Sequence, residues 1–217
     1  MSILEGGAQG MNLPFTSNEF LHVFAAYNTA VWPAQVALYL LSVAALYLVW
    51  KNRAGKVVVY ILAILWAWIG VVYHLLFFTV INGAAYVFGV VFIMQAILFM
   101  VAAHRMTFGF GSALRDIVAW ILIIYGLLLY PLLSVLFGHA YPRMPTFGLP
   151  CPTTIFTFGV LLLSRTRPPW YLLVIPVIWS VIGTSAAVSM GIYQDYGLLI
   201  AAILAVMLRE KQTWVVA

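Results

Sequence analysis

Runs of about 20 apolar residues recur along this chain, and the short segments between them carry nearly all of its charge. That length is what an α-helix needs to cross the ~30 Å hydrocarbon core of a bilayer at 1.5 Å per residue. The 217 residues are 65% hydrophobic and 7% charged, where soluble domains run near 25% charged. With a mean hydropathy of +1.09, such a chain folded in water would expose apolar surface on every side. A β-barrel does not fit, because its strands would be short and would alternate polar with apolar residues. The fold class is therefore all-α: a polytopic transmembrane helical bundle forming a single domain over residues 1–217.

Taken in order, residues 1–13 are polar and glycine-rich and read as a flexible extension. Residues 1–30 lack the basic start and compact apolar core of a cleavable signal peptide. Residues 14–30 read as a short interfacial helix, capped by Thr16 or Ser17 with Glu19 in its first turn. The bundle proper covers 31–208. Its seven spans are expected near 31–50, 57–81, 84–103, 117–137, 153–164, 170–188 and 197–208. The fifth and seventh fall below the usual ~17–25 residues. On the first, Asn28, Gln35, Tyr39 and Ser42 recur at helical spacing, so that face should look inward, away from lipid.

Charge gives an orientation. With the N-terminus outside, the inner loops hold Lys51, Arg53, Lys56, Arg105, Arg115, Arg165, Arg167, Arg209 and Lys211, and the outer loops hold only Arg143. This asymmetry is the positive-inside pattern, and it predicts an N-out/C-in protein. Dropping the fifth span would put Arg165 and Arg167 on the wrong side. The basic excess is thus explained by membrane anchoring, and dispersed anchors do not make a nucleic-acid surface.

Between the fourth and fifth spans lies GHAYPRMPTFGLPCPTTIFTFG, residues 138–159. Four prolines fix its backbone where a plain connector would need only a few turn residues. It reads as a Pro-rich outer loop that can re-enter the bundle through 150–154. Irregular backbone at that depth needs protein or water around it. Polar groups collect at the same side. The ligand-pocket candidates are Asn28, Gln35, Tyr73, His74, Gln95, His139, Tyr141, Cys151, Thr153, Thr154 and Asp195. His22, His74, His139 and Cys151 are of the types that bind zinc, copper or haem iron, though no CxxC, HExxH or CxxCH spacing is present. Cys151 with His139, or His74 with Asp195, would be the candidate nucleophile or acid–base pairs. The single cysteine excludes an intrachain disulfide. A retinal Schiff base is also excluded, since Lys51, Lys56 and Lys211 all lie in loops or the tail.

The stretches YNTAVWPAQ (27–35), AWIGVVYHLLFF (67–78), YPLLSVLFGHAYPRMPTFGLPCPTTIFTFG (130–159) and IGTSAAVSMGIYQDYGLL (182–199) carry a resemblance. They are similar to a family of small bacterial inner-membrane proteins catalogued as a domain of unknown function. The similarity runs from about Asn12 almost to the end. It implies a multi-pass protein of the bacterial inner (plasma) membrane and supplies no activity. The residues favour small-ligand binding or a transport-related role in an outer-facing polar pocket. A metal- or haem-binding membrane enzyme, or a structural subunit of a membrane complex, are the alternatives. The expected partners are the lipid bilayer, a small-molecule or lipid ligand, and a further copy or other subunit of a membrane assembly.

Overall fold

A computed structural model describes residues 14–210, so the 1–13 extension lies outside the described residues. These residues form seven helices. They are α1 (Ser17–Trp50), α2 (Gly55–Val80), α3 (Ala85–Ala102), α4 (Ala113–Leu136), α5 (Pro150–Leu162), α6 (Tyr171–Met190) and α7 (Tyr196–Glu210). A 3₁₀ turn, Tyr193–Asp195, leads into α7. Four of them, α1 to α4, are long and apolar enough to cross a membrane. The outer flanks of the bundle are apolar as well: Trp32, Leu40, Val43 on α1, Val87 and Val90 on α3, Ile117 and Ile121 on α4 and Ile178 on α6 are each more than half exposed. Side chains of this kind facing outward on successive turns give the chain membrane character.

One expectation needs correction. Residues 17–30 are not a separate interfacial helix; they run unbroken into the first span. Thr16 caps the helix as expected. Its hydroxyl accepts from the Glu19 N–H at 3.3 Å, and Glu19 Oε2 accepts from the Thr16 N–H at 2.7 Å, a reciprocal capping box. No glycine or turn intervenes before Lys51, and Pro33 is accommodated inside the helix. The 34 residues make a rod of roughly 50 Å, well beyond the ~30 Å hydrocarbon thickness.

The short α5 is the axis of the bundle. Its 13 residues span only ~20 Å, yet every one except Cys151 is buried. It packs against α4, α7 and α6, while α2 pairs with α1 and α3, and α3 with α6. The approach to α4 is set by two glycines. A Cβ on Gly126 would sit 2.6 Å from the Pro152 carbonyl oxygen, and one on Gly159 would sit 2.8 Å from that of Ala119. Only residues without a side chain let the two backbones come this close.

At the end of the bundle away from the start of α1, the connecting segments are tied to each other. The Gly109 N–H donates to Leu163 O at 2.9 Å and the Arg165 N–H to Thr107 O at 2.8 Å. Arg209 Nε donates to Pro168 O at 2.7 Å, and its guanidinium lies 4.1 Å above the Trp170 ring.

The α4–α5 contact predicts a sharp asymmetry among glycines. Gly159→Leu should cost at least about 2 kcal/mol by overpacking. Gly83→Ala, where nothing lies within 4 Å, should be neutral. Thermal unfolding of the two variants in detergent checks this.

Candidate ligand site

The polar face of α1 meets the Pro-rich segment. Asn28 is fully buried, and all four hydrogen-bonding positions of its amide are used. Its Nδ2 donates to Pro142 O (2.7 Å) and Met144 O (2.8 Å). Its Oδ1 accepts from Gln35 Nε2 and from Thr146 Oγ1, both at 2.7 Å. Gln35 Nε2 also donates to Thr146 Oγ1 at 2.8 Å. The Tyr27 hydroxyl donates to Gly148 O at 3.0 Å and accepts from Trp68 Nε1 at 2.7 Å. Gly148 sits at φ +94°, a left-handed conformation suited to glycine, and a Cβ there would meet Leu38 at 2.8 Å. Its N–H donates to Thr153 Oγ1 at 3.2 Å, which joins the loop to the start of α5. Residues 145–149 are consequently buried. The loop dips into the protein, where side chains of α1 donate to its carbonyls.

Beside this clamp, at the end of the bundle where α1 starts, lies a cavity of ≈240 Å³. Phe15, Phe20 and Phe24 line it from one side. Tyr73 and Phe78 come from α2, Phe88 from α3, and Trp179, Gly183 and Ala186 from α6. Leu149, Pro150 and Cys151 supply the wall at the start of α5. Asp195 and Tyr130 complete it. The Tyr130 hydroxyl donates to Asp195 Oδ1, and the Cys151 thiol lies beside the same carboxyl. The turn carrying Asp195 is held against α4 and α6: Gln194 Nε2 donates to Ser134 Oγ (2.7 Å), Tyr125 OH to Gln194 O (2.7 Å) and Thr184 Oγ1 to Asp195 O (3.0 Å).

Two helices change winding next to this cavity. Residues Ile69–Phe77 of α2 and Tyr125–Leu129 of α4 are π-helical. Each π turn adds a residue relative to the α pattern and so re-aims the side chains beyond it. Tyr73 lies within the first and Tyr130 comes directly after the second.

The sequence-predicted residues divide accordingly. Tyr73, Cys151 and Asp195 line the cavity. Asn28, Gln35 and Thr153 belong to the clamp, and Tyr141 donates to Asn28 O at 3.2 Å from an exposed position. Gln95 is structural: its Nε2 donates to Leu172 O at 3.0 Å, tying α3 to α6. Thr154 is buried in α5. His74 is a correction. It is fully buried behind the cavity wall, its ring within 4.7–6.0 Å of those of Tyr73, Phe78, Phe88, Phe92 and Trp179, and it does not line the cavity. Nor does it hydrogen-bond Asp195.

The metal set is corrected too. His22 is exposed on α1, His139 lies just past the end of α4, His74 is enclosed by aromatic rings and Cys151 lies in the cavity. Among the described residues no three His, Cys, Asp or Glu side chains converge on a point where an ion would sit. Cys151 and His139 do not share the cavity either. Tyr130, Trp179 and Thr146 were not singled out by sequence. Within apolar runs they look like ordinary membrane-helix residues. Phe15, Phe20 and Phe24, spaced five and four residues apart, read as one apolar side of a short helix.

A family model covering residues 17–216 matches the chain, which belongs to DUF6064, a family of unknown function. No curated protein and no solved structure matches it.

Asn28→Ala removes both donors to the loop and the shared acceptor of Gln35 and Thr146, leaving those two bonded only to each other. It should cost about 2 kcal/mol or more. Hydrogen exchange of residues 142–148 should then speed up by roughly 30-fold, while exchange in the centre of α3 stays unchanged.

Proposed function

As a reading of this DUF6064 member, we propose an integral membrane protein that binds a small molecule in the cavity beside Asp195. It spans the membrane seven times, N-terminus outside and C-terminus inside, in the inner membrane of a bacterium, so that the cavity faces outward. The single observation that carries the binding role is the ≈240 Å³ space with an aromatic wall and one carboxyl at its edge. Concave, mostly apolar space with few placed polar groups is the usual form of a ligand site. Binding is favoured over conduction by what lies below. α5 fills the bundle axis with buried side chains over its whole length, and the connecting segments at the far end are hydrogen-bonded to one another. The proposed orientation is supported by nine of the ten basic residues falling on one side. The bacterial location is supported by the resemblance of the loop and helix motifs.

Two experiments test these statements. In a Cys151→Ser background, Ala140→Cys should react with a membrane-impermeant thiol reagent on intact cells, and Asn52→Cys only after lysis; the reverse would invert the topology. Ala186 is half-buried on the cavity wall, so Ala186→Trp should fill the space with little strain. Native mass spectrometry of protein released from its own membrane should show a one-to-one small-molecule adduct on the wild type and none on this variant. A bare wild type that also binds no added apolar probe would overturn the binding role.

A further inference from the structure

Asp195 is a buried carboxyl, 4% exposed, and the other described acidic side chains, Glu19 and Asp116, do not line the cavity. The partners of the carboxyl are a phenol and a thiol, and the residue's own backbone carbonyl accepts from Thr184 Oγ1. Among the described residues no basic side chain lies within ion-pair distance of Asp195. Among the described residues lining the cavity none is Lys, Arg or His. A carboxylate removed from water without a counter-charge is costly, and an ionisable residue at such a place in a membrane protein marks a ligand or ion pathway by default.

From this we infer that the cavity takes a small organic cation, an ammonium group carried on an apolar body, with Asp195 as its counter-charge and the aromatic wall around it. The inference rests on the proposed binding role and adds the ligand class. Charge decides it. A cavity with one acid and no base repels carboxylates and phosphates, whereas an ammonium is attracted to the carboxylate and to the electron-rich faces of Phe, Tyr and Trp. A hard metal ion would need several oxygen ligands, and only one carboxylate is present. At ≈240 Å³ the space falls just below the ~300–1,000 Å³ usual for drug-sized ligands. It suits a compact amine or the ammonium end of a lipid head group.

Binding of benzyltrimethylammonium is compared with that of neopentylbenzene, its uncharged carbon analogue. The full-length protein is held in maltoside micelles, and affinities are referred to free aqueous concentration. The cation should bind at least ten-fold more tightly. Asp195→Asn should bring the two affinities together by weakening the cation alone, its unchanged affinity for neopentylbenzene showing that the cavity is intact. Asp195→Glu should restore part of the preference. Equal affinities in the wild type would overturn the cation inference and leave the binding role standing. No binding of either probe, in wild type and Ala186→Trp alike, would overturn both. Adding phosphatidylcholine to the micelles separates the two sources of ammonium. Competition in proportion to the lipid assigns the site to a head group, and an unchanged cation affinity assigns it to a free amine.

Discussion

The structure depends on one requirement: a backbone removed from water must have its N–H and C=O groups satisfied from within. Long helices meet it by themselves. The segment from Pro142 to Pro150 does not, since its prolines and its left-handed Gly148 prevent a continuous helix. Its carbonyls are instead taken by side chains of α1. Asn28 serves Pro142 and Met144, Tyr27 serves Gly148, and Gln35 and Thr146 complete the amide network. Because these donors come from one face of α1, the loop can sit inside the bundle and lead directly into α5.

This arrangement explains why a 13-residue helix can be the centre of a membrane protein. α5 does not have to reach across a bilayer against lipid. It is surrounded by protein along its length, and Gly126 and Gly159 let α4 lie almost backbone to backbone against it. The space that remains is at the other side of the loop, where the starts of α1, α3 and α5 meet the ends of α2, α4 and α6. π-helical turns in α2 and α4 deliver Tyr73 and Tyr130 to it, and the 3₁₀ turn before α7 delivers Asp195. The cavity is therefore a product of three departures from regular helix.

His74 illustrates the opposite outcome. On a helix of α periodicity it falls on one stripe with Trp66, Gly70 and Phe77 or Phe78, and as one of four histidines it draws attention as a ligand. In the folded chain five aromatic rings surround it and neither nitrogen has a hydrogen-bond partner. It packs the second layer behind Trp179 and Phe88, which themselves line the cavity. A neutral imidazole can fill this role as a flat, weakly polar ring.

Composition and periodicity by themselves determined the helical class, the seven apolar segments, most of their boundaries to within a few residues, the helix cap at Thr16 or Ser17 and the inward polar face of Asn28, Gln35 and Ser42. These are local properties: hydropathy acts over one span and side-chain direction over one turn. They also marked the 138–159 loop and Asp195 as unusual. Only the tertiary structure decided that residues 17–30 continue the first helix, that α5 is buried rather than lipid-facing, and that Asp195 meets Tyr130 and Cys151 while His74 does not join it. Those outcomes depend on which helices touch and on π turns that shift the register. No spacing along the chain encodes either one, because the contacts of Asp195 lie 65 residues away at Tyr130 and are made only when α4, α5 and α6 pack together.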